Sequence, residues 1–369
     1  MEGNNTEKAR TVDFIRHYLA SAFIYGTILI FMAFCPAYVD TLEDTGFDYT
    51  TFFTIYFVGY LVLAPLFYAL FKPQTVLQSR SLTIFGYFAR QFRRNQSTEY
   101  FLQNLSPTEE EKNAFMILFI QTFFGIYSIN LLCNSYLPSL GYNLDFLKVM
   151  FSDAMTYISG GNGIMAGIMQ FLIDTGDMWI RLTTTITLIV LSLSYLTELD
   201  IFKNRIKSTD TTPLGIISCI ACYYPVTILT DKFLHITDQS LLPVNNTVLL
   251  AILNLLAIIA NIGIMIAVIR LGAKSGNLTN RGIVTGFPYN IVRHPDYAMQ
   301  ILYIIITTIP LYMLSNAGKF DKTVMTVATL GWILLYLFRA ITEERHLIKD
   351  PDYQKYVEKV KYRFIPKLF

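Results

Sequence analysis

The sequence is short of charged residues. Only 15% of its 369 residues are Asp, Glu, Lys or Arg, whereas a soluble domain usually carries about 25%. Hydrophobic residues make up 53% of the chain and are spread over many separate blocks. This composition argues against an ordinary soluble globular protein and predicts that much of the surface faces lipid.

Cysteine is also scarce. All four cysteines lie in apolar runs, which gives no indication of a disulfide framework. Cys219 and Cys222 form a C-x-x-C pair, a spacing that occurs in redox and metal sites. Because no second pair of ligands lies nearby, we interpret them as small buried residues on one helix face and predict no metal site.

A secretory signal, an internal repeat and a low-complexity segment are not recognisable. Residues 1–16 are polar and carry charges of both signs. The long apolar run that follows has no small-residue cleavage pattern, so a cleaved signal peptide is not predicted.

Apolar runs of membrane-spanning length are, by contrast, abundant. A spanning helix needs about 20 largely apolar residues, and the sequence predicts eight such spans. They lie at His17–Tyr38, Thr50–Phe71, Ala114–Leu132, Trp179–Leu196, Leu214–Thr230, Asn246–Ile269, Tyr297–Met313 and Thr323–Arg339. The apolar stretch Gly163–Ile173 is too short to span and is compatible with an interfacial segment, a re-entrant segment or a turn of helix outside the cytoplasm.

The basic residues alternate between the connecting segments. Lys and Arg are frequent in both tails and in the second, fourth and sixth loops, and they are fewer in the other loops. This alternation fits eight spans, and the positive-inside rule then predicts that both termini are cytoplasmic.

The second loop, residues 72–112, is the largest cytoplasmic excursion before the C-terminal region. Its basic residues Arg90, Arg93 and Arg94 form a short run close to the bilayer. We therefore expect them to lie beside anionic lipid headgroups, and we predict no nucleic-acid partner.

The end of this loop carries a helix start. Ser106 is a favourable N-cap, Pro107 suits the first helical position, and three acids follow at 109–111. The pattern predicts a helix that begins here and continues into the third span.

Two regions can be distinguished along the chain. Residues 1–245 hold about five spans and the loop 72–112, and residues 246–369 hold about three spans with most of the polar chemistry. The predicted fold is all-α, a polytopic transmembrane helical bundle of about eight spans with a C-terminal cofactor pocket at the cytoplasmic face.

The first cluster of chemistry lies between the sixth and seventh spans. Residues 276–297 read GNLTNRGIVTGFPYNIVRHPDY. Gly and Pro are frequent and the apolar residues have no helical period, so an ordered loop is predicted. Arg293, His294 and Tyr297 come together just before the seventh span.

The second cluster lies at the end of the eighth span. Arg339 and Glu343 are four residues apart, share a helix face and could pair, and Glu344 follows. Charges so close to the hydrocarbon boundary usually face protein or a water-filled cavity. This spacing therefore indicates a polar site at the helix end.

Together these blocks resemble the C-terminal signature of the isoprenylcysteine carboxyl methyltransferases and the related phospholipid methyltransferases. The resemblance covers about residues 246–369 and says nothing about the first five spans. The matching positions are Gly282 to Thr285, Gly286 to Tyr289, Arg293 to Tyr297, Arg339, Glu343, Glu344, Leu347, Tyr353 and Tyr356.

The resemblance implies an S-adenosylmethionine pocket between the loop and the last helix. The residues that it implies as cofactor-binding are Thr285, Gly286, Tyr289, Arg293, His294, Pro295, Tyr297, Glu343 and Glu344. Carboxylates suit the ammonium group and the ribose hydroxyls of this cofactor, and aromatic faces suit its sulfonium. The acceptor would be a lipid or a prenylated molecule or protein that reaches the site from the membrane.

Two residues are expected to be catalytic. Arg339 would orient a carboxylate acceptor by a two-pronged contact, and no general base would then be needed. An amine acceptor would instead need a base such as Glu343. The chain departs from the family pattern at Arg281, where a histidine is common, and at Met299, where a glycine is common.

Two other functions remain open at this level. The first is an NADPH-dependent membrane reductase of the sterol type, since the ending Tyr362-Arg363-Phe364-Ile365-Pro366 is similar to theirs, although their tryptophan-rich block before the Arg-His pair is absent. The second is a transporter or a non-catalytic scaffold. Transport usually needs ionisable residues at the centres of the spans, and these centres have almost none.

Overall fold

The computed structural model describes residues 2–34, 49–71, 79–91, 106–198, 200–223, 226–227, 246–314 and 319–367. Within these ranges the chain is almost entirely helical, which confirms the predicted all-α class. The α-helices are α1 Glu2–Phe34, α2 Tyr49–Phe71, α3 Arg80–Gln91, α4 Glu109–Ile120, α5 Ile126–Asn130, α6 Leu137–Tyr157, α7 Ile164–Leu196, α8 Pro213–Ile220, α9 Thr247–Leu271, α10 Pro295–Leu314, α11 Lys319–Leu347 and α12 Pro351–Lys359. Short π-helical turns join α4 to α5 and α5 to α6.

Six segments of the described helices are long and apolar enough to cross a membrane. They are Asp13–Phe31, Phe53–Leu70, Glu109–Ser139, Ile164–Leu196, Thr247–Lys274 and Lys322–Leu347. Each coincides with one of the eight predicted spans, so the chain has the helices of a membrane-embedded protein.

The two remaining spans stay predictions. The seventh coincides with α10, a helix of 20 residues that is not one of these six segments. The fifth lies partly outside the described residues, and its described part forms only the eight-residue helix α8.

The sequence placed the start of α4 two residues too early. The N-cap is Thr108, not Ser106, and Pro107 lies before the helix. Thr108 accepts a hydrogen bond from the backbone of Glu111, while the Glu111 side chain accepts one from the Thr108 backbone. This reciprocal capping box satisfies two backbone donors at once. The helix runs on into the third span, as predicted.

The stretch Gly163–Ile173 belongs to a longer helix. It forms the first turns of α7, which continues without a break to Leu196. Of the alternatives left open by the sequence, a separate interfacial or re-entrant segment is therefore wrong.

Helix α9 lies at the centre of the packing, between α7 and α10. At its contact with α10, a Cβ atom on Gly263 would lie only 2.7 Å from Cγ of Met299. Small residues let membrane helices approach closely. Met299 is thus accommodated by a glycine on the facing helix.

Two ion pairs hold helix α3, in the described part of the second loop. Arg80, at the start of α3, forms a bidentate pair with Glu198, and Arg90, at its end, pairs with Glu111 at 2.7 Å. Arg93 and Arg94 lie outside the described residues.

Two short strands connect the N-terminal region to the C-terminal loop. Ser208–Thr209 (β1) pairs antiparallel with Thr279–Asn280 (β2). Two flanking hydrogen bonds extend the pairing, from Lys207 N to Asn280 O at 2.8 Å and from Asp210 N to Leu278 O at 2.9 Å. This pairing brings residues 200–223 against the loop that the sequence singled out.

Candidate functional site

The loop after β2 is held against the end of the described chain. The backbone N–H groups of Arg293 and His294 donate to the carbonyl oxygens of Tyr362 and Arg363, both at 2.9 Å. Tyr356, on α12, donates its hydroxyl to the carbonyl of Tyr289 at 2.6 Å. These bonds fix the loop against α12 and the residues that follow it.

Glu344 is the main side-chain anchor of this arrangement. Its carboxylate accepts from Arg293 Nε at 2.7 Å and Nη2 at 3.3 Å, from Arg363 Nε at 2.9 Å, and lies 3.1 Å from His294 Nε2. Arg293 Nη1 donates to the carbonyls of Val360 and Lys361. The two-pronged pair is nearly buried on both sides, so it joins loop, last span and tail firmly.

A first cavity, the loop cavity, lies under the loop. It holds about 630 Å³ of space not filled by protein atoms, part of it open to solvent. Its lining includes Lys274, Gly276, Arg281, Tyr289, Arg293, His294, Asp296, Glu343, Tyr353 and Tyr356.

Several buried polar atoms of this lining have no hydrogen-bond partner among the described residues. They are the hydroxyls of Tyr289 and Tyr353 and the Nε and Nη2 atoms of Arg281. Burial raises the pKa of both phenols above their ordinary range, so they are donors at neutral pH. An unpaired buried polar group costs about 1–3 kcal/mol. The cavity therefore fits a polar ligand that carries hydrogen-bond acceptors.

The loop cavity also contains carboxylates. Burial, together with the nearby charge of Glu343, raises the pKa of Asp296 to about 6. Asp296 and Glu343 both line the cavity. They can offer negative charge to a cationic group or accept hydrogen bonds from hydroxyls.

A second cavity, the arginine cavity, surrounds Arg339. It holds about 330 Å³ of unfilled space, part of it open to solvent, and its lining includes Asp210, Gly215, Ser218, Cys219, Asn277, Thr279, Tyr297, Arg339, Thr342, Glu343 and His346. The Arg339 guanidinium carbon lies 4.9 Å from the ring centre of Tyr297 and 5.6 Å from those of Tyr223 and Tyr336. Three aromatic faces thus stabilise this buried cation.

Arg339 and Glu343 do not pair, although their spacing allowed it. Within the described residues no ion pair joins them: Glu343 accepts the Tyr297 hydroxyl at 2.8 Å, and Arg339 Nη2 donates to Asn277 Oδ1 at 2.9 Å. The guanidinium therefore has a neutral amide as its hydrogen-bond partner and remains suited to a carboxylate.

The two cavities adjoin. Glu343 and Thr279 line both of them. Tyr297, on the arginine side, stacks parallel to His294, on the loop side, with ring centres 5.4 Å apart. A ligand in one cavity would therefore lie next to a ligand in the other.

Most of the site residues expected from the sequence meet at these cavities. Tyr289, Arg293, His294 and Glu343 line the loop cavity, and Tyr297, Arg339 and Glu343 line the arginine cavity.

Four of the expected residues do not line either cavity: Thr285, Gly286, Pro295 and Glu344. Pro295 is the first residue of α10, and Gly286 lies where any side chain would overlap the Arg270 guanidinium. Pro295 and Gly286 therefore lie beside the cavities without lining them, and Glu344 belongs to the anchor described above.

Sequence reasoning missed the contribution of the N-terminal region. Asp210, Ser218 and Cys219 line the arginine cavity, and Tyr223 lies against Arg339 and accepts a hydrogen bond from Asn277 at 2.8 Å. The C-x-x-C cysteines are free thiols, and only Cys219 is fully buried. No pattern in residues 200–223 signals this role, because β1 and β2 are two residues long and about 70 residues apart.

No protein-family model, no curated protein and no solved structure matches this chain. The family resemblance therefore rests on the residues quoted above.

Proposed function

We propose that this protein is an integral membrane methyltransferase that uses S-adenosylmethionine. The acceptor would be a lipid-like or prenylated molecule, with methylation of a carboxylate favoured. The observation that carries the proposal is the pair of cavities that meet at Glu343. Counting only the described residues, one holds polar donors without a partner, and the other holds a guanidinium that no carboxylate pairs with.

The loop cavity would hold the cofactor. When bound, S-adenosylmethionine supplies an electrophilic methyl group on a sulfonium. The Tyr289 and Tyr353 hydroxyls would donate to ribose or adenine acceptors, and Glu343 and Asp296 would accept from the ammonium or the ribose hydroxyls. The stacked rings of His294 and Tyr297 offer aromatic faces to a cation at the boundary between the cavities.

The arginine cavity would hold the reacting group of the acceptor. Arg339 would exchange its amide partner Asn277 for the acceptor carboxylate, which makes two parallel hydrogen bonds with the guanidinium. A carboxylate is already a nucleophile, so the protein's task is to hold it in line with the methyl group. Glu343, between the cavities, would be the base for an amine acceptor.

The surroundings of the site suit an apolar acceptor. On α11, Leu334, Phe338 and Ile341 expose about half of their surface. These side chains precede or follow Arg339 on the same helix. Helical spacing places them on a different face of α11 from Arg339, so this face is open to lipid beside the site, and an acceptor from the membrane would reach Arg339 by entering between helices.

The cofactor is tested by calorimetric titration of purified protein in nanodiscs. We expect S-adenosylmethionine to bind and NADPH not to bind. Tyr289→Phe removes one hydroxyl from the loop cavity and should weaken binding by up to about tenfold, and His294→Ala should weaken it further. Tyr303→Phe, in the core between α9 and α10, is the matched control and should leave binding unchanged.

The acceptor is tested with a labelled methyl group on S-adenosylmethionine. A prenylated cysteine derivative with a free carboxylate should be labelled, and the same compound with its carboxylate converted to an amide should not. Binding of NADPH instead of S-adenosylmethionine would support a reductase. A folded sample that binds neither would support a transporter or scaffold and would contradict the proposal.

A further inference from the structure

Arg281 is a buried cation with one unused edge. It follows β2 and is 3% exposed. Its Nη1 donates to the carbonyls of Ser194 at 2.9 Å and Asn204 at 3.2 Å. Its Nε and Nη2 atoms have no hydrogen-bond partner among the described residues, and the residue lines the loop cavity.

The unused edge has the shape of a carboxylate receptor. Nε–H and one N–H of Nη2 point to the same side of a guanidinium, parallel to each other, and match the two oxygens of a carboxylate. Elsewhere in this protein, Arg293 binds Glu344 through the same two atoms. Arg281, a lining residue of the cavity, therefore has the same edge without a partner among the described residues that Arg293 uses to hold its carboxylate.

Among the described residues, no direct ion pair compensates the charge of Arg281. Buried charges in proteins are normally paired. Glu198 acts on Arg281 electrostatically, but its carboxylate is held by Arg80 in a bidentate pair and by the backbone N–H of Ile206. Burial lowers the pKa of the Arg281 guanidinium, as expected for a cation that lacks a close anion.

Neighbouring residues favour the approach of an anion. Lys274 lines the same cavity and adds positive charge. A Cβ atom on Gly276 would lie 3.5 Å from Arg281 Nε, so the absence of a side chain there keeps this edge accessible.

We propose that Arg281 is the anion-binding residue of the loop cavity, and that it binds the carboxylate of the methionine moiety of S-adenosylmethionine. This inference rests on the proposed function. It concerns a position where this chain departs from the family pattern, and it places the carboxylate of the ligand at Arg281 and the cationic groups towards Asp296 and Glu343.

The test compares two ligands that differ only in the carboxylate. Wild-type protein in nanodiscs is titrated with S-adenosylmethionine and with its decarboxylated analogue. We expect the carboxylate to strengthen binding by about 10- to 100-fold, the range for hydrogen bonds between charged groups. In Arg281→Gln this preference should be lost, whereas the affinity for the decarboxylated analogue should be largely retained. Arg281→Lys keeps the positive charge but lacks the two parallel N–H groups, so it should give an intermediate preference for the ligand with the carboxylate.

The control variant is Lys359→Gln, which removes an exposed positive charge on α12 and should keep the full preference. If Arg281→Gln does not fold, the wild-type comparison still decides: equal binding of both ligands overturns the inference. So does an equal loss of both affinities in a folded Arg281→Gln. If the wild-type protein binds neither ligand, the result would instead contradict the proposed function itself.

Discussion

Replacing Glu344 by Gln tests the anchor between the last span, the loop and the tail. The change keeps the shape of the side chain but removes the charge that binds Arg293, Arg363 and His294. The Arg293 and Glu344 side chains are only 6% and 12% exposed, and breaking a buried ion pair on one side costs about 3–5 kcal/mol. Arg363 is 34% exposed, so solvent screens its interaction with Glu344, and the loss of that interaction adds little to the cost.

The cost should appear as local opening of the tail. The amides of Arg293 and His294 donate to tail carbonyls, and their hydrogen exchange reports that opening. A loss of about 3 kcal/mol corresponds to about 100-fold faster exchange. Amides in the middle of α9 should exchange as in the wild type.

Exposed Glu358 on α12 provides the matched control, Glu358→Gln, which should leave exchange at these amides unchanged. Unchanged exchange at Arg293 and His294 in Glu344→Gln would refute the view that this carboxylate holds loop and tail together. Faster exchange throughout the protein would mean that Glu344 stabilises the whole bundle and not this junction.

Three further predictions follow from other contacts. Gly263→Ala should destabilise the protein by about 1–3 kcal/mol through overlap with Met299, and Met299→Ala in the same chain should restore most of the loss in thermal unfolding; no recovery would contradict the close contact. Burial raises the pKa of Asp296 to about 6 in the folded state, so the stability of the protein should fall as pH rises from about 4 to about 6. Asp296→Asn should therefore stabilise the protein at pH 7 and have little effect at pH 4. An equal effect at both pH values would contradict the raised pKa. Arg339→Lys should leave S-adenosylmethionine binding unchanged but lower transfer to a carboxylate acceptor at least about tenfold, and full activity would exclude a two-pronged contact.

Hydropathy predicted the membrane helices because a bilayer requires long, continuous apolar segments. Six of the eight predicted spans have helices of this kind in the structure. Boundaries were less predictable, since they depend on single hydrogen bonds. Ser106 and Thr108 each have a glutamate three residues later, Glu109 and Glu111, so both fit the capping-box pattern, and the structure forms the box at Thr108.

The site was predictable where its residues are close in sequence. Arg293, His294 and Tyr297 lie on one turn of chain, and Arg339 and Glu343 on one helix face, and all of them line the two cavities. The hydrogen-bond partners of Glu343 and Arg339 were not predictable from spacing. Tyr297, at the start of α10, donates to Glu343, and Asn277, in the loop, accepts from Arg339, so the two do not pair with each other.

The pairing of β1 with β2 brings residues of the N-terminal region to only one of the two cavities among the described residues. The residues that line the loop cavity all come, within the described part of the chain, from Leu271 onwards, whereas the lining of the arginine cavity also includes Asp210, Ser218 and Cys219 from the N-terminal region. Substitutions at those three positions can reshape one cavity while leaving the lining of the other intact. Under the proposed function, acceptor preference could therefore diverge between descendants of this protein by change in the N-terminal region, while cofactor use is inherited unaltered through the C-terminal one.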